Sequence, residues 1–104
     1  MAEQRRDCVV PADHPCLAGH FPGNPIVPGV LLLDCVLAAV DGAARRRLAA
    51  IPSLKFLHPL RPGVRFSIVW TEHADGLRFR CESDADGAPQ LYAQGLLSFA
   101  DDSG

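Results

Sequence analysis

The chain has 104 residues, a length that fits a single domain over residues 1–104. Its net charge of −2 gives no reason to expect nucleic acid or an anionic membrane as a partner. It also contains no run of about 20 apolar residues that could cross a membrane. The apolar content of 48% can supply a core, but a chain this short buries proportionally little surface by itself. We therefore expect it to form an oligomer.

The N-terminal sequence and the cysteines indicate the compartment. The first residues, MAEQRRDCVV, carry arginines but no long apolar core or cleavage site, so they do not resemble a signal peptide. The four cysteines, at positions 8, 16, 35 and 81, show no CxxC pairing and no metal-ligand spacing with the histidines. We expect a cytoplasmic protein without disulfides or a bound metal, in which Cys35 acts as a small hydrophobic residue.

The residue pattern predicts one helix and several strands. The chain begins with a predicted strand at 5–11, a turn at 13–15 and a loop at 19–27. A helix is predicted from about Pro28 to Ala49, and Pro52 prevents it from continuing. Strands are then predicted at 54–58, 64–73, 77–82 and 91–99, with turns at 74–76 and 84–87. The later strands alternate apolar and polar residues and are separated by Asp- and Gly-containing turns. One helix followed by an antiparallel meander predicts an α+β fold.

The predicted helix contains an unusual carboxylate. Val30 to Val40 is apolar at nearly every position except Asp34. A helix that is apolar on all sides is normally buried, and a buried carboxylate is costly unless it has a partner or a task. In the loop before the helix, prolines at positions 22, 25 and 28 restrict the backbone that follows His20. A fixed histidine followed by a lone acid predicts acid–base chemistry.

Two segments resemble motifs of a known family. GHFPGNPIVPGVLLLD, from Gly19 to Asp34, resembles the active-site motif of the hotdog-fold beta-hydroxyacyl-acyl-carrier-protein dehydratases of fatty-acid and polyketide synthesis, G-H-F-P-G-x-P-x-x-P-G-x-L-x-x-E/D. KFLHPLRPG, from Lys55 to Gly63, resembles the K/R-F-x-x-P-x-x-P-G segment of the same family. The resemblance covers about residues 5–100. It implies a hotdog fold, in which a curved antiparallel sheet wraps around one long central helix.

The resemblance also implies a reaction, the dehydration of a 3-hydroxyacyl thioester to the trans-2-enoyl thioester. His20 would remove the proton alpha to the thioester carbonyl, and the N–H of Gly29 would polarise that carbonyl. Asp34 would orient the beta-hydroxyl or protonate it as it leaves as water. The family has either Glu or Asp at this position, and Asp occurs in the subgroup that also isomerises the double bond. The resemblance therefore does not determine whether the protein also isomerises the double bond.

Substrate contacts and partners follow from the same resemblance. Phe21, Pro28, Val30 and Arg61 are expected to contact the substrate, with Arg61 and Arg65 near the phosphate of the phosphopantetheine arm. The other histidines receive no role. No metal or cofactor is implied, because the acyl chain arrives on an acyl carrier protein. The chain is expected to form a homodimer, a higher hotdog oligomer or a heterodimer, with His20 and Asp34 of one site supplied by opposite subunits.

The length of the chain refines the expected class and leaves alternatives open. Fatty-acid dehydratases of this family usually carry additional N-terminal sequence, so we expect a minimal dehydratase of a pigment or polyketide cluster, such as the aryl-polyene type, and not the housekeeping enzyme. A hotdog acyl thioesterase would use the same fold, although the HFPG motif argues against it. A non-catalytic acyl-binding or scaffold subunit and a binding module for small aromatic or lipid ligands are further alternatives. The sequence does not specify the acyl chain length or the pathway.

Overall fold

A computed structural model describes residues 3–11, 13, 26–41, 48–83 and 89–100. Within these residues the elements are β1 (Gln4–Cys8), α1 (Gly29–Asp41), β2 (Leu48–Phe56), β3 (Phe66–His73), β4 (Gly76–Ser83) and β5 (Gln90–Phe99). The strands form one antiparallel sheet in the order β1-β3-β4-β5-β2. The predicted α+β class, with a helix and an antiparallel sheet, is confirmed.

The core lies between α1 and one face of the sheet. Ile68, Cys81 and Ala93 face one another across β3, β4 and β5, and all three are buried. Alternate residues of a strand point to the same face, which is why the apolar alternation in the sequence marks the core. From the helix, Leu32 and Val36 join the same buried cluster. Burying an aliphatic side chain of this size contributes about 1.5–3 kcal/mol relative to leaving it exposed.

The helix is shorter than predicted. It ends at Asp41, and Leu48 and Ala49 belong to β2, so the expected helix end at Ala49 is wrong. Leu and Ala favour helices, but the antiparallel pairing of β2 with β5 outweighs that weak preference. Arg45 to Arg47, which fall within the predicted helix, lie outside the described residues. Gly42 follows Asp41 in the sequence and is the type of residue that commonly ends a helix.

Pro52 has a different structural role from the predicted one. It lies inside β2, where the pairing with β5 shifts register between Ala50 and Ser53. Because β2 is an edge strand, a proline at such a bulge can be accommodated without interrupting a central ladder. The strand predicted at 54–58 therefore begins too late.

The remaining strands agree with the predictions to within a few residues, except that β1 ends at Cys8 and not at residue 11. The predicted turn at 84–87 and most of the loop at 19–27 lie outside the described residues. In the described part of the chain, no helix is long and apolar enough to span a membrane.

Candidate active site

The N-terminus of α1 presents backbone donors beside an anchored segment. The carbonyl of Pro28 accepts the N–H groups of Leu31 and Leu32 at 3.0 and 3.1 Å, so the helix begins at Gly29. The N–H of Gly29 therefore belongs to the first turn, whose donors have no partner within the helix and carry the positive end of the helix dipole. The preceding Val27 donates its N–H to the carbonyl of Leu60 at 2.8 Å, which fixes the entry of the chain.

An aromatic ring lies directly against this helix start. A Cβ placed on Gly29 would lie 2.7 Å from Cζ of Phe56, closer than a real Cβ approaches another atom. Any larger residue at position 29 would therefore require the ring of Phe56, at the end of β2, to shift. Phe56 is 53% exposed. It can therefore move more easily than a core ring could.

Phe56 is also part of a pocket next to the helix start, which we name the apolar pocket. It encloses about 230 Å³. Its lining residues are Ile26, Val27, Leu32, Phe56, Leu57, His58, Pro59 and Leu60. A concave, mainly apolar lining is the usual environment for the apolar part of a small ligand. The sequence analysis assigned no role to Phe56, although this residue lies in the segment KFLHPLRPG, which resembles a motif of the dehydratase family.

Asp34 is exposed in the single chain, so the prediction that its carboxylate is buried is wrong there. Residues four apart share a helix face, and Val30, Asp34 and Ala38 form such a stripe, all exposed. Val30 is 72% exposed. The opposite face of α1 packs on the sheet, so an apolar sequence on all sides did not mean burial on all sides. This outer stripe is an apolar surface that carries one carboxylate.

A second pocket, which we name the basic pocket, adjoins the first. It encloses about 320 Å³ and is lined by His58, Pro59, Arg61, Val64, Gln90 and Tyr92. His58 and Pro59 belong to the linings of both pockets. Arg61 is exposed on this lining, whereas Arg65 is exposed but outside it.

The structure thus places the predicted site residues in three locations. Pro28 and Gly29 lie at the helix start beside Phe56. Val30 and Asp34 lie on the outer stripe, and Val30 is outside the lining of the apolar pocket. Arg61 lies in the basic pocket. His20 and Phe21 fall outside the described residues.

The described cysteines are poor nucleophiles. Burial raises the pKa of the Cys81 thiol to about 12. Burial, together with the neighbouring thiol of Cys8 and the carboxylate of Asp34, raises the pKa of Cys35. Burial also raises the pKa of Cys8. Since the thiolate is the reactive form, these residues are not candidates for covalent catalysis at neutral pH.

Comparison with known proteins identifies the fold and the family. The sheet order and the helix correspond to the hotdog fold, and a staphylococcal acyl-CoA hydrolase shares that fold. That hydrolase is a mutant of the Staphylococcus aureus enzyme, in complex with coenzyme A. It superposes with a TM-score of 0.72 at 20% identity over 98% of this chain and 66% of its own. The ApeI-like model, described as ApeI dehydratase, matches residues 2–95. The chain belongs to this ApeI-like dehydratase family.

Individual relatives agree with this assignment. The chain is 33% identical over 91 residues to a 3-hydroxyacyl-[acyl-carrier-protein] dehydratase FabZ of Rhizobium rhizogenes; the match covers 76% of this chain and 58% of that protein. The chain thus spans little more than half the length of this relative. The dehydratase heterocomplex ApeI:P from Xenorhabdus doucetiae contains a chain with a TM-score of 0.82 and 25% identity, over 95% of this chain and 88% of that one.

Proposed function

We propose that this chain catalyses the dehydration of a 3-hydroxyacyl thioester to the trans-2-enoyl thioester. The match to the ApeI-like dehydratases is the observation that carries the proposal. The FabZ relative, a 3-hydroxyacyl-[acyl-carrier-protein] dehydratase, supports the same substrate class. The position of Gly29 at the first turn of α1, beside the apolar pocket, supports a site that can polarise a carbonyl next to an acyl chain.

The proposed chemistry divides the reaction among three groups. His20 takes the proton alpha to the thioester carbonyl as a general base. The N–H of Gly29 donates to the carbonyl oxygen and stabilises the negative charge that develops on it. The carbon–oxygen bond to the beta-hydroxyl then breaks as the double bond forms. Asp34 orients that hydroxyl or gives it the proton with which it leaves as water. Loss of water changes no net oxidation state, so the reaction needs no redox cofactor.

Geometry favours a site made by two chains. Gly29 and Asp34 are five residues apart, which places them about 140° apart around the helix axis. Gly29 lies beside the apolar pocket, whereas Asp34 lies on the exposed outer stripe. A second hotdog chain covering this stripe would bury its apolar residues and bring Asp34 to a site on the partner. Two-fold pairing would then make two equivalent sites.

We further propose the setting of the reaction. The acyl group arrives on the phosphopantetheine arm of an acyl carrier protein, in the cytoplasm, in a fatty-acid, polyketide or aryl-polyene type of biosynthesis. The partner chain is a second copy or a related dehydratase subunit. The heterocomplex formed by the Xenorhabdus ApeI:P proteins supports a related dehydratase subunit as the partner.

One assay tests the proposed function. The purified chain is incubated with 3-hydroxyacyl and trans-2-enoyl thioesters of several chain lengths, and the products are followed by mass spectrometry. We expect loss of water from the hydroxyacyl thioester and its re-addition to the enoyl thioester. Release of free thiol would instead identify a thioesterase. Binding without conversion would identify an acyl-binding or scaffold subunit.

The role of the Gly29 N–H can be tested with two matched substitutions. Gly29→Ala and Gly29→Pro both add a Cβ against Phe56, but only proline removes the N–H. Proline is well tolerated at the first helical position, so α1 should still form. We expect kcat of Gly29→Pro to be lower than that of Gly29→Ala by a factor of roughly 10²–10³, the usual cost of losing one oxyanion donor. Equal kcat values for the two variants would exclude this N–H as the donor.

A further inference from the structure

Residues 56–60 connect the start of α1 to β5, and His58 lies at their centre. We propose that His58 is a positioning residue, which fixes this segment on β5 and thereby holds the N–H of Gly29 where the substrate carbonyl meets it. The inference rests on the proposed function, because that reaction uses the N–H. It gives a role to a residue that neither the sequence motifs nor the proposed chemistry employs.

The ring of His58 has a defined orientation. Its Nδ1 lies 3.0 Å from the carbonyl oxygen of Leu91. A carbonyl oxygen only accepts, so Nδ1–H is the donor. The cationic ring also carries a proton on Nδ1, so protonation of Nε2 does not break the bond. The side chain therefore ties its segment to β5 in either charge state.

The bond from the ring supplements backbone pairing that is irregular at this place. The ladder between β2 and β5 ends at Phe56. Beyond it, the N–H groups of Leu57 and His58 share one acceptor, the carbonyl of Tyr92, at 2.8 and 3.4 Å. The pairing of β5 with β4 also shifts register in this region. Because an irregular ladder holds a segment less firmly than a regular one, the side-chain bond contributes a larger share here.

Two contacts transmit the position of residues 56–60 to the helix start. The carbonyl of Leu60 accepts the N–H of Val27 at 2.8 Å, and both residues are buried. The ring of Phe56 packs against Gly29, where an added Cβ would lie 2.7 Å from Cζ. A shift of residues 56–60 therefore moves both the chain that enters α1 and the ring beside Gly29.

No neighbour of His58 within the segment can replace it. Its side chain is the only polar one in residues 56–60, and Pro59 also lacks an N–H. The ring of His58 is exposed, so its removal leaves no cavity in the core. Loss of the ring should therefore affect the placement of the helix start more than the stability of the fold.

Three substitutions of His58 separate positioning from chemistry at the ring. Asn places an N–H donor close to where Nδ1 lies, Gln places one close to where Nε2 lies, and Leu has the shape of Asn without a donor. With a 3-hydroxyacyl thioester, we expect kcat of His58→Leu and of His58→Gln to fall about 10-fold, since a misplaced donor stabilises the transition state less well. His58→Asn should retain most of the wild-type kcat. KM should change little, because the N–H acts on charge that develops in the transition state.

His73→Leu is the matched control for losing an exposed histidine. The ring of His73 also makes one exposed hydrogen bond, with Thr71 at 2.8 Å. It lies at the turn between β3 and β4, at the opposite end of the sheet from Phe56. Its loss should leave kcat unchanged. Recovery of kcat by His58→Gln and not by His58→Asn would show that His58 acts through Nε2 and would overturn the proposal, as would equal kcat values of His58→Asn and His58→Leu.

Amide NMR of the isotope-labelled protein tests the positioning without turnover. In His58→Leu the amide of Val27 should exchange faster with solvent, and the amide resonance of Gly29 should shift. His58→Asn should keep the wild-type values of both. The amide of Ile68, which is fully buried in β3, is the control and should exchange at the wild-type rate. This result in a protein that dehydrates no thioester would support the positioning and reject the proposed function.

Two NMR results would contradict the role of His58 whatever the kinetics show. One is an unchanged Val27 exchange rate and Gly29 resonance in His58→Leu, since the segment would then not depend on the ring. The other is exchange at Ile68 that accelerates by the same factor as at Val27, since the variant would then have lost stability throughout the fold.

Discussion

Asp34→Asn is expected to lower the dehydration rate by about 10²–10⁴, the range for loss of an acid–base group. Asn is nearly isosteric with Asp but neither ionises nor donates an acidic proton. Because a partner chain covers Asp34 in the proposed dimer, replacing the carboxylate by a neutral amide lowers the desolvation cost there, and the free energy of unfolding should not fall. Turnover and thermal unfolding of the same preparation measure the two effects.

Asp34→Glu is the matched control for this variant. It keeps the carboxyl group, and the family motif that the segment resembles accepts either acid, so some activity should remain. Strong destabilisation by Asn would show that the carboxylate has a structural role. Normal turnover of Asp34→Asn would remove Asp34 from the mechanism.

His20→Ala is expected to lower activity by a similar factor of about 10²–10⁴. In the loop that the sequence predicts, a histidine would fill little core, so thermal unfolding should stay close to that of the wild type. If the sites are shared between two chains, co-refolding inactive His20→Ala with inactive Asp34→Asn should restore activity. A mixed dimer has one site with both native residues, and random pairing makes half of the dimers mixed. About a quarter of the wild-type activity is then expected from the two-fold symmetry.

Mass spectrometry of the intact complexes provides the control, since it measures the fraction of mixed dimers. Mixed dimers without activity would contradict the shared site. Full activity of either single variant on its own would contradict the role of that residue. Restoration only with a related dehydratase subunit, and not between the two variants, would indicate a heterodimer.

The sequence by itself determined the class of fold and the family. Alternating apolar residues follow from the pleat of a strand, and the strands they predict, β3, β4 and β5, are close to those observed. The motif from Gly19 to Asp34 pointed to the dehydratase family that the family model also matches. These signals are local, so they can be read without knowing what packs against them.

Tertiary structure decided where the helix ends and which of its faces is covered. Pairing with β5 places Leu48 and Ala49 in a strand, against their helical preference. Packing of one helix face on the sheet leaves Asp34 exposed on the other, although its neighbours in sequence are apolar. The contact of Phe56 with Gly29, and the adjoining pockets at His58, join residues distant in the sequence. Such contacts depend on how the elements pack together, and no local pattern of residues specifies that packing.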